Sequence, residues 1–237
     1  MINKPLIHKI NHQPRYKNLP MPLHNELFLR VVTGLIGVPL VVILICLGSP
    51  YLDGLAYLLL AGMLIEWLNL NKKTAFRSLK GMSLFLSGGL YIVTAIVFLL
   101  SWRHQPWLIV WLLSIVWATD IGAYFIGSYF GGPKLAPRIS PRKTWSGFVG
   151  GILVGMVAGW SISTYTVINS PLSLPITVLL LSIAAQLGDL LESRIKRYFG
   201  VKDSGNIIPG HGGLLDRLDS LLFVAICYQM LLILMKF

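Results

Sequence analysis

The sequence predicts an all-α, polytopic integral membrane protein with about seven transmembrane helices and a cytoplasmic N-terminus. Three observations support this fold class. The 237 residues are 55% hydrophobic and 12% charged, with a mean hydropathy of +0.71, which is more apolar surface than a soluble domain could bury. Seven apolar stretches each have roughly the 20 residues that cross a bilayer as a helix. Finally, the connections between these stretches alternate between basic and nearly uncharged.

The chain divides into a short polar leader and a membrane domain. Residues 1–29 form a basic segment with four prolines, which we expect to be loose or to lie on the membrane surface. Residues 30–237 form the membrane domain. Its predicted spans are 30–48, 51–70, 81–101, 107–130, 147–168, 173–195 and 214–235. The first span is not followed by a small-residue cleavage site, so we expect it to be retained rather than removed as a signal peptide.

Lysine and arginine mark alternate connections between the spans. Four or five of them lie in the leader through Arg30 and in each of the connections 71–80, 131–146 and 194–217, whereas 49–50, 102–106 and 169–172 hold one at most. The positive-inside rule therefore places the N-terminus and the three basic connections in the cytoplasm. Orientation and anionic membrane lipids explain the net charge of +11, so no nucleic-acid partner is predicted.

Most acidic residues lie at the same predicted membrane face. Of the nine Asp and Glu residues, only Asp53 falls on the outer side. Ionisable groups near hydrocarbon are costly and usually mark a functional site. The chemistry is therefore expected to face the cytoplasm, where nucleotides are available.

The end of the sixth span and the start of the seventh bring carboxylates to one membrane depth. At 100° per residue, one face of the sixth helix carries four polar residues: Asp189, Glu192, Ser193 and Lys196. Asp216 and Asp219 begin the seventh. A hard cation such as Mg²⁺ takes carboxylate oxygens and keeps waters for a phosphate ligand, so a metal could bridge a nucleotide and a lipid phosphate here. The alternative for Glu192 is an ion pair with Lys196 within the helix.

The loop PGHGG, residues 209–213, directly precedes the seventh helix. The backbone N–H groups of Gly212 and Gly213, together with the helix start, could bind an anion, although an ordinary turn is the alternative. The nearby charges of Lys202, Asp203 and Arg217 favour the functional interpretation. His211 could donate a hydrogen bond to a phosphate, act as an acid, or simply cap the loop.

A second basic segment, residues 130–151, lies just before the fifth span. Its four cations are Lys134, Arg138, Arg142 and Lys143. They favour a loop for a lipid phosphate or a nucleotide, although they could serve orientation alone. Asp120 lies about two turns inside the fourth span, where we expect a cation or metal partner. Glu66 is similar but nearer the surface, where its carboxylate could snorkel.

Residues 193–219 resemble the signature of the phosphatidate cytidylyltransferases. The shared pattern is S-x-[apolar]-K-R, four residues, K-D, a Gly/Pro stretch, H-G-G and D-R-[apolar]-D. The upstream segments DIGAYFIG, KLAPRISPRKTW and QLGDLLESRIKR also resemble this family, so that the likeness covers about residues 115–220. The N-terminal spans resemble the family only generically.

This resemblance implies an enzyme that makes CDP-diacylglycerol and pyrophosphate from CTP and phosphatidic acid in a bacterial cytoplasmic membrane. It further implies Mg²⁺, with K⁺ as a second cation, and a homodimer. By the family pattern, Asp189 and Asp216 would hold the metals. The other matching positions are Lys196, Arg197, Lys202, Asp203, His211, Arg217 and Asp219 in the signature and Asp120 and Lys143 upstream.

Two departures and three rival functions accompany the resemblance. Ser146 stands where the family commonly has Glu, a role that Glu192 could take over, and members commonly have more spans. A CTP-dependent lipid kinase of the dolichol or phytol type is one rival. An ion-coupled transporter is another, but the sequence lacks the repeated halves and broken helices that would favour it. A CDP-alcohol phosphotransferase would need a D-G-x-x-A-R opening, which is absent.

Overall fold

Helices make up most of the computed structural model, which describes residues 23–71, 78–165, 168, 172–208 and 212–235. In this part of the chain there are seven α-helices and one pair of strands. Their bounds are α1 (Leu23–Leu47), α2 (Tyr51–Asn71), α3 (Leu79–Ser101), α4 (Pro106–Phe130), β1 (Lys134–Ala136), β2 (Ser140–Thr144), α5 (Trp145–Ser163), α6 (Leu174–Tyr198) and α7 (Leu215–Leu234). The helices α2 to α7 are long and apolar enough to cross a membrane, and α1 contributes the shorter apolar stretch Val32–Leu47. The predicted all-α polytopic membrane fold is confirmed.

The structure differs from the prediction at some element ends and in one connection. Helix α1 already begins at Leu23 rather than at residue 30, and α5 ends at Ser163 rather than at 168. The segment 131–146 is not an irregular loop, because β1 and β2 pair antiparallel through Lys134 with Thr144 and Ala136 with Ser140. Residues 1–22 of the leader and 72–77 of the second basic connection lie outside the described residues.

The hairpin leads directly into α5. Thr144 ends β2 and also caps the helix, since its Oγ1 accepts a hydrogen bond from Gly147 N at 3.1 Å. A threonine at this position satisfies a backbone donor that the first turn of a helix leaves unpaired. The cap fixes the direction in which the basic hairpin leaves the membrane helix.

Glycines bring α5 against α4. Gly147, Gly151, Gly155 and Gly159 recur every four residues along the buried face of α5. A Cβ at Gly151 would lie 2.7 Å from the carbonyl oxygen of Thr119, and one at Gly147 equally close to that of Ala123. Small residues at this spacing allow two membrane helices to approach until their backbones touch. Helices α4 and α5 consequently share the most extensive contact among the described helices.

Helix α7 belongs to both apolar cores of the bundle. Val224, Ala225 and Tyr228 pack with α4 and α6, whereas Leu215 and Leu222 pack with α2 and α3. The start of α7 is therefore surrounded by other helices. Whatever fixes that start also fixes the polar residues on it.

The α4–α5 contact predicts opposite effects for the same substitution at two glycines. Gly151→Ala should destabilise the protein by roughly 1–3 kcal/mol, because the added methyl group overpacks the helix contact. Gly54→Ala is the control, since an added Cβ there meets nothing within 4 Å, and better helix propensity should stabilise α2 by up to about 1 kcal/mol. Thermal unfolding in detergent measures both. Equal stabilisation by the two substitutions would contradict the close contact.

Candidate active site

A buried ion pair joins α6 to α7. The Lys196 Nζ lies 2.6 Å from Asp216 Oδ1 on α7 and 3.1 Å from Glu192 Oε2 on its own helix. The side chains of Lys196 and Asp216 are only 12% and 9% exposed. The ion pair of Glu192 with Lys196, which was the alternative interpretation of Glu192, is present, and the same ammonium group also contacts Asp216 on the next helix. We refer to Asp189, Glu192, Asp216 and Asp219 as the acid cluster.

Backbone N–H groups hold the Asp216 carboxylate in place. Ser204 N donates to both of its oxygens, at 3.2 and 3.0 Å, and Gly213 N donates to Oδ2 at 3.0 Å. With Lys196, both oxygens have donors, which restricts the carboxylate to one orientation. The sequence analysis considered the N–H of Gly213 as a donor to a phosphate. In this structure it donates to Asp216 instead.

Asp189 connects α6 to the hairpin. Its Oδ2 lies 2.5 Å from Lys143 Nζ at the end of β2, and its Oδ1 accepts a hydrogen bond from Ser193 Oγ at 3.2 Å. A groove of about 550 Å³ opens beside this ion pair. Asp120 lines the same groove, so the structure brings together three residues that are far apart in the sequence.

The groove also carries further polar groups from the hairpin and α6. They are Lys134, Arg142, Thr144 and Gln186. Gln186 was not singled out by the sequence analysis. It is buried and donates from Nε2 to the Phe148 carbonyl oxygen at 2.9 Å, which links α6 to α5 beside Asp189.

Glu192 and Asp219 form a closely spaced pair within the acid cluster. Their carboxyl groups are adjacent, and both line a small cavity of about 50 Å³ beside Lys196. Glu192 Oε1 is buried without a hydrogen-bond partner, whereas Asp219 Oδ1 accepts from Ser220 N at 2.7 Å. A buried polar atom without a partner is costly. This oxygen is therefore suited to a proton or a cation.

The charges around the groove and the cluster favour a bound cation. When ionised, the four carboxylates of the acid cluster face two lysines in ion pairs, Lys143 and Lys196, while Lys134 and Arg142 line the groove beside them. Carboxylate oxygens of this kind are ligands for Mg²⁺. Within the described part of the chain, no three carboxylate, histidine or cysteine side chains stand together as a preassembled metal site. The two predicted metal ligands, Asp189 and Asp216, each contact a lysine.

Arg197 lies outside the cluster and fastens the hairpin. Its Nη1 donates to the Val201 carbonyl oxygen at 2.9 Å and its Nε to that of Ile139 at 3.3 Å. Because Ile139 lies in the turn between β1 and β2, the arginine ties both basic connections to the end of α6. Both of these contacts are with backbone carbonyl groups.

The other signature residues are spread around the loop before α7. Lys202 and Asp203 are exposed. Gly212 has φ +86°, a conformation that favours glycine, and its carbonyl oxygen accepts from Ile208 N at 3.0 Å. Arg217 lines an apolar cavity on the other side of α7. His211 lies outside the described residues.

Glu66 differs from its sequence interpretation, and Ser146 has a structural contact of its own. Glu66 does not snorkel: it is 2% exposed and accepts hydrogen bonds from Leu214 N and Leu215 N, both at 2.9 Å. The position of Glu66 inside an apolar span could have indicated a buried role, as it did for Asp120. The partners of Glu66, however, lie far along the chain and could not be identified from the sequence. Ser146 donates a hydrogen bond to the Gly131 carbonyl oxygen and so ties the base of the hairpin to α5.

This fold and site define a polytopic membrane protein with charged groups buried at the junction of its last two helices and a basic hairpin beside them. Residues 71–235 match the sequence model of the Cytidylyltransferase family. The chain belongs to that family, which confirms the family resemblance seen in residues 193–219.

Individual relatives are similar over different lengths. The phosphatidate cytidylyltransferase of Rickettsia bellii is 40% identical over 209 residues, which cover 85% of this chain and 88% of the relative. That of Brucella suis is 52% identical over 117 residues, and that of Bacillus subtilis 51% identical over 111 residues. These two matches cover only 43% and 41% of the relatives, so the chain aligns with less than half of their lengths.

The central ion pair predicts a large loss of stability when its cation is removed. Lys196→Met leaves Glu192 and Asp216 without their shared partner and should destabilise the protein by roughly 3 kcal/mol, as when one member of a buried pair is removed. Thermal unfolding in detergent measures the loss. The double variant Lys196→Met with Glu192→Gln should recover part of it. Wild-type stability of the single variant would contradict the inferred role of Lys196.

Proposed function

We propose that the protein transfers a cytidylyl group from CTP to phosphatidic acid, giving CDP-diacylglycerol and pyrophosphate for phospholipid synthesis. Membership of the cytidylyltransferase family and the names of the relatives support this choice. The observation that carries it is the Lys143–Asp189 ion pair, which joins a polar groove to the acid cluster within a membrane bundle. This arrangement provides a place where a water-soluble nucleotide and a membrane lipid meet.

The proposed location is a bacterial cytoplasmic (inner) membrane, with the site facing the cytoplasm. The connections 131–146 and 194–217 are both basic, as cytoplasmic connections should be. They also meet in space, because Arg197 of the second connection contacts Ile139 of the first, and Lys143 of the first reaches Asp189 on α6. One basic face therefore carries all the proposed chemistry. A homodimer, as the resemblance implies, belongs to the same proposal.

The triphosphate of CTP is assigned to the polar groove. Lys134, Arg142 and Lys143 line it, and cations of this kind stabilise phosphate oxygens by charge and by hydrogen bonds. Lys143 now contacts Asp189, so a phosphate that attracts Lys143 would release the carboxylate. The groove thereby couples nucleotide binding to the exposure of an acid.

The hydrocarbon of the lipid is assigned to an apolar cavity of about 460 Å³ between α1, α2, α3, α4 and α7. Among the residues that line this cavity, Arg217 is the charged one, and it lies in the first turn of α7 next to Asp216. An apolar chamber with a cation at one end is complementary to an acyl chain with an anionic headgroup. The position of Arg217 brings the lipid phosphate to the same end of α7 as the acid cluster.

Mg²⁺ is part of the proposal, with K⁺ as a second cation. The residues fit a hard cation, since the cluster carries excess negative charge and Glu192 Oε1 has no partner. Asp189 and Asp216 would hold the metal, which would neutralise the triphosphate and the departing pyrophosphate.

The reaction itself is an in-line displacement. A phosphate oxygen of phosphatidic acid forms a bond with the α-phosphorus of CTP. The bond between that phosphorus and the oxygen that bridges the α- and β-phosphates breaks, and pyrophosphate leaves with this oxygen. Because the nucleophile is already anionic, the protein has to align the reactants and neutralise charge. Lys143 and Lys196 supply positive charge, and the N–H groups of Ser204 and Gly213 keep Asp216 oriented.

Labelled CTP tests the reaction class. With phosphatidic acid and Mg²⁺, the α-³²P label should enter the lipid and the γ-³²P label should not. Chelation should abolish transfer and added Mg²⁺ should restore it. Transfer of the γ label would instead identify a CTP-dependent lipid kinase, and transfer of neither would reject the proposal.

Single carboxylates test the site in the same assay. Asp189→Asn or Asp216→Asn should reduce α-label transfer at least about 100-fold, the order of loss when a group that stabilises transition-state charge is removed. The matched control is Asp53→Asn, at the far end of α2, where Asp53 contacts Ser49 and Arg103. Near-normal transfer by either cluster variant would contradict the assignment.

Filling the apolar cavity tests the lipid assignment. Gly37 lines the cavity, and a Cβ there meets nothing within 4 Å, so Gly37→Phe should enter the cavity without moving the backbone. Displacing about two methylenes at ~0.8 kcal/mol each should lower transfer to long-chain phosphatidic acid about tenfold relative to dioctanoyl phosphatidic acid. Gly54→Phe, which has similar space but lies outside the cavity, is the control. An unchanged chain-length ratio for Gly37→Phe would reject the assignment.

A further inference from the structure

Glu66 is a buried acid that lies outside both the signature and the matched region. The signature resemblance covers 193–219 and the family match begins at residue 71, whereas Glu66 lies near the end of α2. Its carboxylate accepts three hydrogen bonds: from Leu214 N and Leu215 N at 2.9 Å each, and from Ser204 Oγ at 3.2 Å. A charged group this deeply buried persists only when donors compensate for its lost hydration.

The carboxylate serves as the N-terminal cap that α7 lacks in its own sequence. Leu214, at the cap position, has an apolar side chain and forms no side-chain cap hydrogen bond. The first N–H groups of a helix have no partner within the helix, and a negative charge near them also interacts favourably with the helix dipole. Glu66 thus provides from α2 what Ser, Thr, Asn or Asp would normally provide locally.

Ser204 connects this cap to Asp216. Its hydroxyl donates to Glu66 Oε2, and its backbone N–H donates to the carboxylate of Asp216. One residue therefore lies between the capping carboxylate and a proposed metal ligand. A displacement of Glu66 would be transmitted to Asp216 through a single hydrogen-bonded residue.

Two glycines allow the loop to close around Glu66. A Cβ at Gly205 would lie 2.5 Å from Glu66 Oε1, and one at Gly213 would lie 2.9 Å from Oε2. Gly213 N also donates to Asp216. Gly213 therefore both holds Asp216 and encloses Glu66, and it leaves no room for a side chain between the two.

We propose that Glu66 is a positioning residue for the cytidylyl transfer proposed above. It fixes the start of α7 and, through Ser204 and Gly213, the orientation of the Asp216 carboxylate. Because it already occupies the N–H groups of Leu214 and Leu215, it also directs an incoming phosphate away from the helix terminus and towards the lysines. Glu66 itself is not among the residues that line the groove.

The test is the near-isosteric change Glu66→Gln. It replaces one carboxylate oxygen by an NH₂ group and removes the negative charge at the point where the backbone N–H donors converge. We expect kcat to fall at least about tenfold, as when supporting residues of a site are lost, with KM for CTP changed by less than about twofold because substrate contacts remain. Asp53→Asn removes an acid from the other end of the same helix and should leave both constants unchanged. Wild-type kcat in Glu66→Gln would overturn the proposal, and so would a rise in KM alone.

A double-mutant cycle distinguishes positioning from general stabilisation. Ser204→Ala removes the connection but leaves the contacts of Glu66 with Leu214 and Leu215, so kcat should fall while the unfolding temperature stays near that of the wild type. Adding it to Glu66→Gln should cause little further loss, because residues in one hydrogen-bonded chain are not additive. Fully additive losses would overturn the connection through Ser204. If Glu66→Gln does not fold, wild-type kcat in Ser204→Ala alone would overturn it.

A measurement without turnover separates this inference from the proposed function. Amide hydrogen–deuterium exchange at Ser204 and Gly213 reports whether their N–H groups remain bonded to Asp216. Exchange should rise at least about tenfold in Glu66→Gln and stay unchanged in Asp53→Asn, since opening exposes both amides. If the wild-type protein shows no cytidylyl transfer but Glu66→Gln still raises the exchange, the proposed reaction is rejected, whereas the role of Glu66 in positioning Asp216 is supported. Unchanged exchange would overturn the positioning role itself.

Discussion

The ion pair between Lys196 and Asp216 is the interaction on which the site depends. It joins α6 to α7 at 2.6 Å, with both side chains largely buried, and breaking such a pair leaves an uncompensated charge in a poorly solvated region. Asp216 in turn is held by Ser204 and Gly213, and Ser204 is held by Glu66. A continuous set of hydrogen bonds therefore runs from α2 through the loop to α6. This continuity explains how a loop rich in glycine can hold a carboxylate in one orientation.

Helix α7 separates two kinds of surface by its periodicity. Arg217, Leu218 and Leu221 line the apolar cavity, whereas Asp216 and Asp219 are directed towards Lys196 and Glu192 on α6. Residues three or four apart share one side of a helix, so a single turn presents a cation to a lipid-sized space and carboxylates to the polar side. The proposed reaction needs this proximity, because its two reactants differ completely in solubility. It also explains why the polar residues are concentrated at one end of the helix.

The sequence was sufficient for the features that depend on local composition. Span length and apolarity predicted the helices, and the spacing of Asp189, Glu192 and Lys196 predicted a common face that is present in the structure. The β1–β2 hairpin was missed because its short strands are stabilised by pairing across a turn, in a segment whose prolines indicate a loop. Glu66 was misjudged because its partners, Leu214 and Leu215, are more than 140 residues away. The ion pair of Lys143 with Asp189 was missed for the same reason, since no local pattern shows which distant segments of the chain meet.

In the proposed reaction, the carboxylates of α6 and α7 hold the cation that accompanies the nucleotide. The most direct measurement is a crystal structure with Mn²⁺ in place of Mg²⁺ and a non-reactive CTP analogue, in which anomalous scattering locates the metal. We expect a peak bonded to an oxygen of Asp189 or Asp216, with Lys143 or Lys196 moved from that carboxylate to a phosphate. A nucleotide bound with its metal elsewhere, and both lysine ion pairs unchanged, would contradict the proposed role of these carboxylates.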